Sequence, residues 1–565
     1  MLAQRFAGSF LLLSFVALFA CSPAAPVAKP TEAPKPAEAS KPAESAKPAA
    51  TAQPREQVFR VASTNPPSLD PGLAADALSI DIVENMFEGL VAFDEKGTIS
   101  GVHAERWDIS PEQTTYTFTL RQGLTWSDGQ PITAKDYEYA WKRNIDPETA
   151  SDYATTLYPV KNAAKINTEG MDPSQLGVKA TDDRTLVVTL EEPAAYFLRL
   201  ASTWTLFPLR EDVISAHGEK WVDADKIVTN GPFLLKEWKQ DAQITLERND
   251  RYWGPKPVLQ QAIYRIFPEG AAEQALAAYE AGEIDSLGTT SFQIPAGQIG
   301  RIQSDPKLKA EIKEYPESGT VFIVVNTRLP HLKDPRVRMA LGAALDRNLL
   351  LTQVLRRAGT PAYTPQPEGI AGRNPDVWQK EDVARAKQLL ADAGFPDGRG
   401  FPDLTFTHNT SDVWRLMGEH LQQRWKETLG INVKLDNMEF ATFLKWRRGD
   451  EWRTLGNTLR GDWLSDYEDP NNWYNVLWDS HEDPGMFNTG WVDPEYDALV
   501  KQAQSELDRA KREQLYRQAE EVLARGYPVI PVFHYSGRTL VKPQVTGFEP
   551  TRVLGLVPLK AIAIR

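Results

Sequence analysis

Apolar residues along this chain repeat with two different periods, and the switch between them outlines the elements. At Tyr116 to Arg121 (YTFTLR) inward and outward positions alternate, the pattern of a strand with one buried face. A WSDG stretch at Trp126 to Gly129 follows it and reads as a turn. Thr185 to Leu190 (TLVVTL) predicts a second strand, placed after the turn-forming pair Asp182-Asp183. Elsewhere the period lengthens. Between Pro335 and Arg347, the residues Val337, Ala340, Leu341, Ala344 and Leu345 recur at helical spacing, with Asp334 ahead of them as an N-cap candidate. A second helix is predicted over Asp382 to Ala393, stopped by Gly394 at the C′ position, and a third carries Leu515, Ala519 and Val522. Short strands interleaved with amphipathic helices predict an α/β chain with mixed sheets. No internal repeat is present.

The first residues depart from both periods. Ser9 to Ala20 (SFLLLSFVALFA) is a continuous apolar run behind the basic Arg5, too short to span a bilayer and about the length of a secretory h-region. Residues 1–20 are therefore expected to be a signal peptide. The run ends in Leu18-Phe19-Ala20-Cys21, which resembles the lipobox of bacterial lipoproteins; in that reading Cys21 becomes the lipidated first residue of the mature chain. Ser22 to Gln57 consists almost entirely of Pro, Ala, Lys, Glu, Ser and Thr, a composition that cannot bury enough surface to fold. Residues 21–57 are thus expected to be a lipidated cysteine followed by a disordered tether.

Composition narrows the function. With 565 residues, 42% of them hydrophobic, the chain is long enough for more than one core. Its net charge of −13 argues against a surface built for nucleic acid or for anionic lipid. Cys21 is the only cysteine, so no disulfide and no thiolate metal cluster can form within the chain. The seven histidines include no pair spaced to share one helix face as metal ligands. Phosphate-cradling glycine motifs are missing, as is the G-x-S-x-G elbow. Glu468 and Asp469 are adjacent and read as an acidic turn rather than as the spaced carboxylate pair of a hydrolase. No metal, cofactor or catalysis is expected. The 16 Trp, 17 Tyr and 22 Phe are more than a plain scaffold needs, and such side chains can wall a ligand cleft.

One long stretch, AERWDISPEQTTYTFTLRQGLTWSDGQPITAKDYEYAWKR from Ala104 to Arg143, resembles the peptide/nickel class of ABC-transporter solute-binding proteins, most closely its oligopeptide-binding members. Further blocks follow in the family's order. They include SLDP at Ser68 to Pro71, DPETASDY at Asp146 to Tyr153, IVTNGPF at Ile227 to Phe233, NTRLPHLKDPRVRMAL at Asn326 to Leu341 and GDWLSDYEDP at Gly461 to Pro470. The resemblance covers nearly all of the chain after the tether. It implies a periplasmic-binding-protein-like fold (class II, cluster C) of two hinge-linked lobes and three domains. Domain I would combine residues 58–87, 209–319 and 534–565; domain II would be residues 88–208; domain III would be residues 320–533. It further implies a monomeric, extracytoplasmic receptor, held at a bacterial membrane by its lipid anchor. Such a receptor captures peptides of about two to five residues and delivers them to the permease and ATPase subunits of an ABC importer. Alternatives are a receptor for one cell-wall or signalling peptide, or for another ligand of the class such as a nickel chelate or a sugar.

The resemblance also assigns a site. A receptor for many peptides must hold what peptides share. Asp466 is expected to take the ligand's α-ammonium, since a charge shut away from water needs an opposite charge beside it. The backbone from Asp462 to Leu464 is expected to pair with the extended ligand. Tyr153 would contact the ligand from domain II, and Trp463 would wall a side-chain pocket. Arg447 and Arg460 match two arginines that face the site, the planar fork of Arg460 suiting a carboxylate. Arg356 is a further carboxylate partner, with Arg357 in its place under a one-residue shift. Trp414 stands where the family has a ligand-facing histidine, Phe440 where it has a tryptophan, and Ala75 where it has a glutamate near the N-terminal strand.

Overall fold

The computed structural model describes residues 56–94, 98–268, 270–288, 292–480 and 487–565, with the side chains of 412, 440 and 441 left aside. Cys21, the expected signal peptide and nearly all of the expected tether lie outside the described residues.

Among those residues one mixed sheet of eleven strands runs through the molecule, and a smaller antiparallel sheet of four strands lies within residues 104–189. The predicted strands are there. Thr115–Leu120 buries alternate residues and pairs with both Ala104–Ile109 and Thr185–Thr189 in that smaller sheet. The predicted helices form as well, one of them shortened. Pro335–Ala343 begins where Asp334 accepts a hydrogen bond from the Arg336 amide, and it ends before Arg347. Val383–Asp392 is capped by Asp382, with Gly394 beyond its end at φ +97°.

Apolar side chains gather into two large clusters. The first draws on residues 59–266 and returns to residues 541–564; it unites strands of the expected domain I with the expected domain II. The second lies wholly within residues 321–533. A small third cluster, around Ala275, Tyr279 and Ile302, includes Ala62, Leu287 and Leu540 from interior strands of the main sheet.

Two long antiparallel strands, Ile312–Val325 and Val529–Val541, link these clusters. Their ladder joins Ile312 to Pro316 with Ser536 to Leu540, breaks, and resumes at Thr320 opposite His534. On one side of the break Val529–Val541 pairs with Ser286–Leu287, which itself pairs with Val58–Ser63. On the other, Ile312–Val325 pairs with Thr458–Leu464. The ligand-binding candidates cluster around that last strand.

Candidate binding cleft

The strand Thr458–Leu464 is bonded along its full length to Ile312–Val325 on one side. On its other side the parallel strand Leu404–Asn409 pairs with it only at Thr458 and Leu459. From Arg460 onward that second edge carries no strand among the described residues. The Ser465 amide donates to the Ser318 carbonyl, toward Ile312–Val325. Backbone groups alternate sides along a strand, so the amides and carbonyls of Asp462 and Leu464 face the open edge.

Asp466 follows at the turn beyond this strand and is held by Asn472. The Asn472 Nδ2 donates to Asp466 Oδ2 at 3.0 Å, and the Asn472 Oδ1 accepts from the Asp466 amide at 3.1 Å. The same oxygen accepts from Trp463 Nε1 at 3.0 Å, which fixes the indole beside the carboxylate. From across the cleft, the Tyr153 hydroxyl donates to Asp466 Oδ1 at 3.4 Å, its ring lying edge-on against Trp204. Burial pushes the Asp466 carboxyl up to about 6 against the pull of these hydrogen bonds. No lysine, arginine or histidine among the described residues forms an ion pair with it. Burial, with the nearby Asp466 charge, also raises the Tyr153 phenol, so it stays a donor at any ordinary pH.

Tyr153 and Asp466 both line a cavity of about 1020 Å³, at the upper end of the ~300–1,000 Å³ range of small-ligand pockets. It brings together four of the expected residues: Asp466, Trp463, Tyr153 and Arg447. Arg447 lies near the end of the helix Phe440–Arg448, and its guanidinium is lowered to about 10, first by burial and then by Arg448 and Arg460. A second hollow, lined by Phe59, Asp81 and Tyr264, measures about 20 Å³ and holds at most a water.

The remaining candidates do not line the large cavity. Arg460 bonds Asp462, and its guanidinium lies 4.9 Å from the centre of the Trp414 ring and 4.8 Å from that of Phe443. Asp462 also accepts from the Tyr535 hydroxyl at 3.2 Å. Arg356 is exposed at φ +50°, whereas Arg357 lies over the Tyr535 ring. Leu464 ends the strand; Phe440 begins its helix with its side chain outside the described ones.

Several contributors carried no signal in the sequence. Asn472 positions three groups at once, and the stacked rings of Tyr196 and Tyr467 stand 6.1 Å apart at the cavity wall. Both carboxylates of the acidic turn are engaged in bonds within the protein. Glu468 is bonded by Ser318 and Arg552, and Asp469 is held bidentately by Arg512 at 2.6 and 2.7 Å. No group of three metal-ligating side chains converges among the described residues.

A cavity of this size, set between two apolar cores joined by continuous strands and walled by aromatic and charged side chains, is the build of a two-lobed solute-binding protein. Residues 98–485 match the middle region of the bacterial extracellular solute-binding proteins, family 5, and the chain belongs to that family. It is 36% identical over 503 residues to the probable deoxycholate-binding periplasmic protein of Escherichia coli K12, spanning 87% of this chain and 91% of that one. To the oligopeptide-binding protein of Bacillus subtilis 168 it is 33% identical over 482 residues, spanning 84% and 86%. Among solved structures it is similar to the unliganded open form of the periplasmic murein tripeptide-binding protein MppA. There the TM-score is 0.77 at 29% identity, covering 90% of this chain and 97% of that one.

Proposed function

We propose that this protein captures short peptides, of about two to five residues, on the outer side of a bacterial membrane and hands them to an ABC importer. It performs no chemistry on them. The observation that carries the reading is Asp466: a carboxylate at the wall of a large cavity, held from both sides by Asn472 and Tyr153, with no cation beside it among the described residues. An unpaired charge in such a place is costly unless a ligand brings the opposite sign. A peptide's free amine does so, and the open edge at Asp462 and Leu464 suits its amides as a strand would. Names borne by relatives support the same ligand, an oligopeptide in one and a murein tripeptide in another.

The rest of the reading follows the family. Residues 88–208 act as the second domain and residues 320–533 as the third, closing over ligand about the interrupted crossing strands. Cys21 carries the lipid that keeps the receptor near its permease, and the protein works as a monomer.

Calorimetry with tri- to pentapeptides tests it directly. Tight binding is expected, to be largely abolished by Asp466→Asn and weakened when the peptide amine is acetylated. Unchanged affinity in either case would remove the central claim. Deoxycholate, named in one relative, belongs in the same panel; saturable binding of it that excludes every peptide would replace the peptide reading.

A further inference from the structure

The walls of the cavity differ in charge. The wall built by residues 152–200 carries Asp152, Glu191 and Glu192 and no cation among the described residues. The opposite wall, from residues 447–504, carries Arg447, Arg448 and Arg453, with Asp466 set apart at the ammonium end. Three guanidiniums thus share one face around a short stretch of chain, the end of the helix Phe440–Arg448 and the helix Asp450–Thr454 that follows.

Like charges gathered this closely work against one another. Arg448 depresses the buried Arg447, and Arg453 does the same to Arg328 behind it, in each case adding to burial. Around Arg448 and Arg453 the described carboxylates offset little of this. Among the described carboxylates Arg453 meets only the exposed Asp450, at 3.5 Å, and its buried Nε has no hydrogen-bond partner among the described residues. Arg448 is exposed and forms no ion pair with a described carboxylate. A donor-rich wall of this kind, facing an open cavity, is matched by an anion supplied from the cavity.

A peptide's own terminal carboxylate satisfies one guanidinium pair. We propose that Arg448 and Arg453, beside Arg447, read a second carboxylate, so that the cleft selects short peptides bearing an Asp or Glu side chain. The acidic wall opposite enforces the direction, because a carboxylate turned toward Glu191 and Glu192 meets repulsion. This rests on the peptide reading given above and adds to it the class of side chain preferred.

The test uses isosteric pairs. Three alanine tripeptides, each with one Glu, are titrated into the full mature protein beside counterparts with Gln at the same position. For at least one position the Glu peptide is expected to bind about tenfold more tightly, the scale of one charge-assisted pair. In the double variant Arg448→Gln with Arg453→Gln that ratio is expected to fall within about twofold, and in the corresponding lysine variant to survive in part. A wild-type ratio near one at every position overturns the inference, whatever the variants do. So does a ratio that persists in the glutamine variant while both peptides weaken together, which would make these arginines fasteners between the walls. Failure of every peptide to bind overturns the peptide reading, and the inference with it.

Discussion

Burial pushes Asp466 up to about 6, so its ionisation falls within reach of ordinary buffers. An ammonium is bound by the carboxylate and not by the acid, and a proton therefore competes with the ligand below about pH 6. Affinity should fall by up to about tenfold for each pH unit beneath that point. The ligand sets the other limit, because a peptide α-amine loses its proton above roughly pH 8. The expected profile is a plateau between about 6 and 8 with a falling limb on each side, measured by calorimetry from pH 4.5 to 9. Equal affinity at pH 5 and pH 7 would disconnect Asp466 from the ammonium. At this scale the sequence was legible where a block match named a residue: Asp466, Trp463, Tyr153 and Arg447 all line one cavity. It was silent on Asn472, whose role depends on a turn bringing its amide back over position 466. Arg448 and Arg453 were silent too, since cations on short helices read as a solvated face until the fold turns them toward a hollow.

At the scale of elements, the open edge of Thr458–Leu464 makes a prediction that separates folding from binding. Leu464 has its amide on the open side, while Trp463 has its amide in the ladder with Ile312–Val325. Leu464→Pro should therefore remove a donor that only a ligand uses, weakening peptide binding by about 1 kcal/mol or more with a smaller loss of thermal stability. Trp463→Pro should do the reverse first, breaking a ladder bond and lowering the melting temperature. Calorimetry and thermal unfolding on the two variants decide the matter, and equal effects on binding and stability in both would refute strand-like pairing. Periodicity found the strands and helices because each buries one face. Its error at Pro335 to Arg347 has the same origin. Ala344 and Leu345 are buried at helical spacing, but the helix has already ended at Ala343, with its cap at Ala344. Burial period alone does not separate a helix from the turn that follows it.

For the molecule as a whole, the order of the strands was beyond any local pattern. The crossing pair unites residues more than 200 positions apart, as in Ile312 opposite Leu540, and only the resemblance implied that the chain would return. That topology leaves the two large cores joined by continuous strands, with the cavity between them, and the lobes also meet at its wall. The Ala195 amide donates to the Gln504 carbonyl at 2.9 Å, and the Tyr196 and Tyr467 rings stack at an interplanar angle of 11°. Contacts across the cleft made without ligand lower the conformational share of the binding cost, because less is left to reorganise when ligand arrives. Tyr467→Ala removes the stacked pair, a contact of about 0.5–1.5 kcal/mol, and should shift the empty protein toward a more open form. Small-angle scattering is then expected to give a larger radius of gyration for the empty variant than for the empty wild type. Saturating peptide should restore the wild-type value, and the loss of affinity, roughly two- to tenfold, should lie mainly in faster dissociation. A variant whose scattering is unchanged, or whose association alone is slowed, would mean that the rings shape the pocket without fastening the lobes.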